Sequence, residues 1–132
     1  MIAVDTNILV RFLVGDDRQQ AQKVYAIFKK AEIEKQELFI PFLVVLELIW
    51  VLESVYDISR TDILDSISGL LLMPIFKFEH QLVLRQFIPC AQKSKYDLSD
   101  LLIAYSAKHQ GCEKVITFDK KAAKSTLFEL TI

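Results

Sequence analysis

The chain has 132 residues, of which 52% are hydrophobic and 25% charged, and its formal net charge is −1. This length fits a single domain with one core, and a content of only three glycines and three prolines excludes a disordered or fibrous chain. The apolar runs are shorter than the roughly 20 residues that span a bilayer, and we expect no secretion leader, because the first residues lack a basic region followed by an apolar core. We therefore expect one cytoplasmic domain over residues 1–132, with no membrane segment.

The charge of the surface outside a candidate pocket depends on how many acidic residues the pocket contains. If four of the 17 acidic residues were gathered in one pocket, the remaining 13 would face 16 basic residues, a balance of +3. A polyanionic substrate is then compatible with the chain, although no long basic run marks a nucleic-acid surface. The two cysteines, Cys90 and Cys112, lack the spacing of a zinc site or a disulfide framework, so two buried free thiols are expected.

The N-terminal half alternates short apolar strands with helices. The elements predicted there are a strand at residues 2–4, a helix at 8–14, an amphipathic helix at 18–34 capped by an aspartate, a strand at 38–40 and an apolar helix from Pro41 to about 55. Ser59 and Asp62 form a capping-box pattern before a helix at residues 63–72, which Pro74 closes.

The C-terminal half continues the alternation. The elements predicted there are an edge strand at residues 75–78, a helix at 82–91 ended by Pro89, a helix from Asp97 to His109 stopped at Gly111, a buried strand at 115–117, a helical turn at 119–124 and a strand at 127–132. Strands alternating with helices indicate an α/β fold of three layers, α/β/α, with a central, mostly parallel sheet of four or five strands.

Two aspartates lie just after predicted strands. Ligands of parallel sheets collect at the carboxyl ends of the strands, and Asp5 and Asp119 each occupy such a position. Aspartate is also a common turn and capping residue, which is the simpler interpretation of either one alone. Two of them at separate strand ends favour a functional site.

Glu47 lies in a helix that is apolar nearly all round. Its neighbours at helical spacing include Leu43 and Trp50, so we expect its face to be buried. A buried carboxylate is costly unless it is paired with a basic residue or serves a metal or functional pocket. In the later helix, Asp97 suits the N-cap, and Asp100 shares a face with apolar residues, so we assign Asp97 mainly to capping and Asp100 to the site.

Together these acids predict a divalent metal centre. Asp5, Glu47, Asp100 and Asp119 offer the oxygen ligands that Mg²⁺ or Mn²⁺ takes beside waters and phosphate oxygens. Such a centre can activate water for attack on a phosphodiester. The sequence contains no convincing protein nucleophile or phosphate-binding glycine loop, and His80 and His109 are interpreted as surface residues.

Four motifs, in order along nearly the whole chain, resemble those of the PIN-domain nucleases, and among them the VapC toxins of prokaryotic toxin/antitoxin pairs. The matching segments are Val4-Asp5-Thr6-Asn7-Ile8-Leu9, then Ile40-Pro41 through Leu46-Glu47-Leu48 and Trp50-Val51-Leu52, then Asp97-Leu98-Ser99-Asp100-Leu101-Leu102-Ile103-Ala104, and finally Thr117-Phe118-Asp119.

The resemblance implies a Mg²⁺- or Mn²⁺-dependent endoribonuclease that cuts structured RNA, commonly tRNA or ribosomal RNA. It implies an antitoxin and a second copy of the chain as partners, with Thr6, Asn7 and Thr117 orienting the acids or bound water. Asp97 is kept as an alternative to Asp119 in completing the metal site. Basic residues that flank the motifs are candidates for phosphate contacts, or for ordinary surface charge: Arg11, Lys93, Lys95, Lys120 and Lys121.

Two rival interpretations stay open. One is a PIN-like module that binds RNA or protein without cutting it. The other is an aspartyl-phosphate phosphatase with Asp5 as nucleophile, which would usually need a second acid two residues on, where this chain has Asn7.

Overall fold

The computed structural model describes residues 1–131 and divides into two compact units, Met1–His80 and the chain from Gln81 onward. No helix in the part of the chain that is described is both long enough and apolar enough to cross a membrane.

The first unit contains a three-stranded parallel sheet. Its strands are β1 (Ile2–Ala3), β2 (Leu38–Ile40) and β3 (Phe76–Phe78), in the order β1-β2-β3. Its helices are α1 (Thr6–Leu13), α2 (Arg18–Glu34), α3 (Phe42–Ser54) and α4 (Arg60–Leu71). A parallel pair of strands needs a crossover connection, and helix pairs supply it here: α1 and α2 between β1 and β2, α3 and α4 between β2 and β3. All three carboxyl ends therefore meet at one edge of this sheet.

The helix ends follow the local signals of the sequence. The Asp17 carboxylate accepts a hydrogen bond from the backbone N–H of Gln20 at 3.0 Å and starts α2. The Ser59 hydroxyl accepts one from the backbone N–H of Asp62 at 3.2 Å and starts α4. Both caps satisfy backbone donors that have no partner within the helix. The predicted N-cap residues of these two helices are thus confirmed, although α4 begins at Arg60, three residues before its predicted start.

The core of the first unit joins aromatic rings to aliphatic helix faces. Phe28 of α2 lies 5.0 Å from Phe12 and 5.1 Å from Phe76, measured between ring centroids. The largest fully buried aliphatic side chains are Leu9, Ile40, Leu48, Ile49, Leu52, Ile63, Leu64, Ile67 and Leu70. Burying one such side chain stabilises the fold by about 1.5–3 kcal/mol.

The second unit contains α5 (Gln81–Gln92), α6 (Leu98–His109), β4 (Val115–Thr117), a 3₁₀ helix (Ala122–Lys124) and β5 (Phe128–Leu130). The strands β4 and β5 are parallel, with Val115 opposite Phe128. Ala104 of α6 packs with Ala122 and Phe128 in a small buried cluster beside this ladder. The predicted last strand is confirmed at residues 128–130, while Ile132 lies outside the described residues.

The α/β class is confirmed. Every strand pair in the described chain is parallel, and the five strands are distributed as three in the first unit and two in the second.

Three local predictions are wrong. Pro89 does not end α5, which continues to Gln92, because the proline lies on the exposed side while Phe87, Ile88 and Ala91 are buried. Cys90 and Cys112 are free as predicted, but both are exposed, Cys90 on α5 and Cys112 just after α6.

The third wrong prediction concerns β4. The strand is not buried, because successive side chains of a strand point to opposite faces and Ile116, on the opposite face from its neighbours, is 72% exposed.

Candidate active site

Asp5 lies at the carboxyl end of β1, where the chain enters α1. The backbone N–H of Val4 still donates to the carbonyl of Phe39 at 3.0 Å, so the strand pairing runs up to the residue before Asp5. Oδ1 of Asp5 then accepts from the N–H of Ile8 at 3.3 Å and caps α1. The cap orients the carboxylate, and Oδ2 accepts no hydrogen bond from any described residue. Capping and ligand binding are therefore compatible roles for Asp5.

Thr6 connects α1 to the acid of α3. Its side chain is only 5% exposed, and its hydroxyl donates a hydrogen bond to Oε1 of Glu47. A carboxylate that accepts a hydrogen bond from a buried donor is restricted in orientation. The first unit thus brings the side chains of Thr6 and Glu47 together, and Thr6 directly follows Asp5 in the sequence.

The predicted burial of Glu47 is wrong. Glu47 is exposed, and its helical neighbours Leu43 and Trp50 are 75% and 58% exposed. The buried face of α3 is formed by Val45, Leu48, Ile49 and Leu52. Because the helix is apolar nearly all round, its hydrophobic pattern does not distinguish the inner face from the outer one. The assignment of Glu47 to the candidate site therefore depends on its hydrogen bond from Thr6 and no longer on burial.

Asp97 and Asp100 lie at the start of α6. Oδ1 of Asp97 accepts from the N–H of Asp100 at 3.0 Å and caps the helix, as predicted. The Asp100 carboxylate does not complete a capping box, since it makes no hydrogen bond within residues 1–131. Burial raises the pKa of Asp100, and the negative charges of Asp97 and Asp119 raise it further. No basic side chain in the described part of the chain offsets these effects, so Asp100 lies in a negative field that favours a cation.

Asp119 follows β4 and is held by the backbone. Its Oδ1 accepts from the N–H groups of Lys121 at 2.8 Å and Ala122 at 3.3 Å, at the entry to the 3₁₀ helix. Its own N–H donates to the hydroxyl of Thr117 at 3.0 Å. These bonds leave Oδ2 of Asp119 without a hydrogen-bond donor from the described residues. Thr117 therefore orders the turn that presents Asp119.

The predicted acids accordingly occur as two groups. The first unit contains Asp5 and Glu47, and the second contains Asp97, Asp100 and Asp119. Neither unit on its own gathers three described Asp, Glu, His or Cys side chains closely enough to hold a metal ion. Asn7 is exposed on the first turn of α1.

The basic candidates differ in their surroundings. The four lysines are exposed, as a phosphate contact requires: Lys93, Lys95, Lys120 and Lys121. Arg11 instead forms an ion pair with Asp16 at 3.1 Å and hydrogen bonds to Gln20 and Tyr56. These contacts within the first unit favour a structural role for Arg11.

One residue beside the site was not predicted. Glu79 follows β3 and accepts from the N–H of Phe42 through Oε1 at 2.8 Å, at the start of α3. Pro41, the N-cap residue of α3, makes no capping hydrogen bond of its own. An acid directly after a strand was the signal used for Asp5 and Asp119, and it also applies to Glu79.

Comparisons with known proteins identify the family. The family model described as "PIN domain" matches residues 2–126 of the chain. A "VapC ribonuclease" from Aquifex aeolicus (strain VF5) is 27% identical to it over 124 residues, which cover 94% of this chain and 91% of the relative. Since the family model matches nearly the whole length, including every acid described above, the chain belongs to the PIN domain family.

Proposed function

We propose that this chain is a Mg²⁺- or Mn²⁺-dependent endoribonuclease that hydrolyses phosphodiester bonds in structured RNA. The observation that carries the proposal is the environment of Asp100, where burial, and then the charges of Asp97 and Asp119, raise the pKa of the carboxyl, and no basic side chain within residues 1–131 lowers it. A divalent cation would relieve this repulsion and keep the carboxylate ionised.

The donor set fits a hard cation. We assign Asp5, Glu47, Asp100 and Asp119 as ligands, with Asp97 as the alternative to Asp119. All of these are carboxylates, the ligands that Mg²⁺ and Mn²⁺ take in proteins. Their orientation is restricted by capping bonds at Asp5 and Asp119 and by the Thr6 hydroxyl at Glu47.

The chain's own residues would orient the reacting groups. When bound, the cation supplies a more acidic water and neutralises charge on the phosphate. One of the carboxylates would accept the proton of the attacking water, the bond from phosphorus to the leaving ribose oxygen would break as the new bond to water forms, and solvent water would donate a proton to the departing oxygen. The exposed lysines Lys93, Lys95, Lys120 and Lys121 would contact RNA phosphates and make binding sensitive to salt.

The relative supports the choice of RNA and the biological setting. That protein is named a VapC ribonuclease, and the similarity spans both units of this chain, which supports one functional domain over residues 1–132. We propose that the chain is the toxin of a toxin/antitoxin pair in the cytoplasm, with an antitoxin and a second copy of itself as partners.

Cleavage of a total-RNA pool by purified, antitoxin-free protein tests the function. Discrete fragments should form with Mg²⁺ or Mn²⁺ and disappear with EDTA. They should also disappear in Asp5→Asn and Asp100→Asn, while Asp65→Asn, which alters an exposed acid of α4, should cut like wild type. Absence of cleavage by folded, metal-loaded protein would instead favour the non-catalytic binding module.

A further inference from the structure

A polar network joins the end of α1 to the segment after α3. Nη1 of Arg11 donates to Asp16 Oδ1 at 3.1 Å and to the Tyr56 hydroxyl at 3.2 Å, and Nε donates to Gln20 at 2.5 Å. The Tyr56 hydroxyl in turn donates to Oδ2 of Asp16 at 2.9 Å. One phenol therefore closes a ring of contacts among Arg11, Asp16 and Tyr56.

Tyr56 is itself held against α3. Its N–H donates to the carbonyl of Val51 at 3.3 Å, and the N–H of Ile58 donates to the carbonyl of Leu52 at 2.9 Å. These bonds attach the Tyr56 segment to the last turns of α3. A contact to the Tyr56 hydroxyl is thus a contact to a segment that is anchored on the helix that carries Glu47.

The eight-residue helix α1 is consequently tied to α3 by side chains at two places. Near its start the Thr6 hydroxyl donates to Glu47, and near its end Arg11 donates to Tyr56. Between them Leu9 and Val10 are buried. Buried side chains favour contact between the helices, whereas directional hydrogen bonds at both ends restrict sliding and rotation of one helix on the other.

We propose that Tyr56, through Arg11 and Asp16, is a positioning residue that sets the placement of α1 on α3 and so holds the Thr6 hydroxyl on Glu47, which we assign as a metal ligand. This inference rests on the proposed metal-dependent function. It also assigns Arg11 to the scaffold and not to RNA, because its Nε and Nη1 groups donate to Gln20, Asp16 and Tyr56.

The test is Tyr56→Phe, which keeps the ring and removes the hydroxyl. Tyr25→Phe is the matched control, since Tyr25 is exposed on α2 and its ring contact with Phe12 does not need a hydroxyl. Mn²⁺ binding is measured by calorimetry, and kcat and KM are measured for RNA cleavage. We expect Tyr56→Phe to weaken Mn²⁺ binding and lower kcat by about tenfold, with KM for RNA unchanged and Tyr25→Phe like wild type.

A double variant separates positioning from general destabilisation. Thr6→Val removes the contact through which Tyr56 is proposed to act, so adding Tyr56→Phe to it should weaken Mn²⁺ binding little further. Additive losses, or a Tyr56→Phe protein that loses thermal stability while keeping wild-type Mn²⁺ affinity, would overturn the inference. A rise in KM for RNA without loss of Mn²⁺ affinity would overturn it too, since it would return Arg11 and Tyr56 to substrate binding.

The two proposals fail in distinguishable ways. Wild-type protein that binds Mn²⁺ but cuts no RNA, with binding weakened by Tyr56→Phe, supports the positioning role and contradicts the nuclease. Wild-type protein that cuts RNA, with Tyr56→Phe equal to Tyr25→Phe, supports the nuclease and contradicts the positioning role. Wild-type protein that binds no Mn²⁺ contradicts both.

Discussion

The hydroxyl of Thr6 donates a hydrogen bond to Glu47, joining the first residue of α1 to the middle of α3 across 41 positions of the chain. Thr6 is buried and Glu47 is exposed, so the bond holds the exposed glutamate side chain on a buried hydroxyl group. A glutamate carries substantial rotamer freedom, and a ligand that is already oriented loses less of it on binding a cation.

Thr6→Val should weaken divalent-cation binding. Valine has nearly the shape of threonine but cannot donate to Glu47, so we expect Mn²⁺ affinity to fall by about 10- to 100-fold and stability by about 1 kcal/mol. Thr6→Ser keeps the hydroxyl and should retain most of the affinity. Calorimetric titration of the three proteins checks this, and equal affinity in Thr6→Val and wild type would contradict it.

Asp100→Asn should stabilise the metal-free protein at neutral pH. Because burial and the charges of Asp97 and Asp119 raise the folded-state pKa of Asp100, the folded state binds this proton more strongly than the unfolded state. The resulting stability is present below the unfolded pKa and is lost as pH rises through the raised folded pKa. The ionised carboxylate therefore opposes folding at neutral pH, and asparagine removes that effect.

Urea unfolding in EDTA at neutral and acidic pH measures the difference. Asp100→Asn should exceed wild type in unfolding free energy at neutral pH, and the gap should close in acid, where Asp100 is protonated. Mg²⁺ at about 100 times its Kd should add about 2.7 kcal/mol to wild type and much less to the variant. Asp65→Asn serves as control, and an Asp100→Asn protein less stable than wild type at neutral pH would refute the interpretation.

Glu79 should stabilise α3 from outside the helix. Its carboxylate accepts from the N–H of Phe42, where the helix dipole favours negative charge and Pro41 makes no cap. Glu79→Ala should cost about 1 kcal/mol, and Glu79→Gln, which keeps an acceptor without the charge, should cost less. Urea unfolding of these variants checks the order, with exposed Glu37→Ala as control. Equal losses in Glu79→Ala and Glu37→Ala would show that the cap contributes nothing.

Cys90→Ala should lower the pKa of Tyr105. The Tyr105 hydroxyl donates to Sγ of Cys90, and this bond, with burial, raises its pKa to about 12. Tyr105 therefore contributes stability that is present below the unfolded tyrosine pKa of about 10 and is lost as pH rises through about 12. Near-ultraviolet titration, corrected with Tyr105→Phe, follows the phenolate. Cys112→Ala is the matched control, and an unchanged titration in Cys90→Ala would contradict the assignment.

Local signals in the sequence predicted most helix ends. Asp17, Ser59 and Asp97 are N-caps as expected, because a cap joins a side chain to a backbone N–H only three residues away. Pro89 is the exception. Its effect on α5 is also local, but burial of the neighbouring side chains outweighs the lost backbone bond.

Burial was the least predictable property. The apolar neighbours of Glu47 on α3 predicted a buried side chain, and the thiols of both cysteines were predicted to be buried. Glu47 and both cysteines are exposed instead. Hydrophobic periodicity identifies an inner face only when the outer face is polar, and α3 has no such contrast.

The sequence by itself determined the α/β class, the family motifs and the positions of the acids after strands or at helix starts, because strand alternation and capping depend on residues within about four positions of one another. Only the tertiary structure decided which donor orients Glu47, which acid caps α3 and that Arg11 donates to Tyr56. Those contacts join residues that are 37 to 45 positions apart, and no local pattern specifies which distant side chains the packed elements bring within hydrogen-bonding distance.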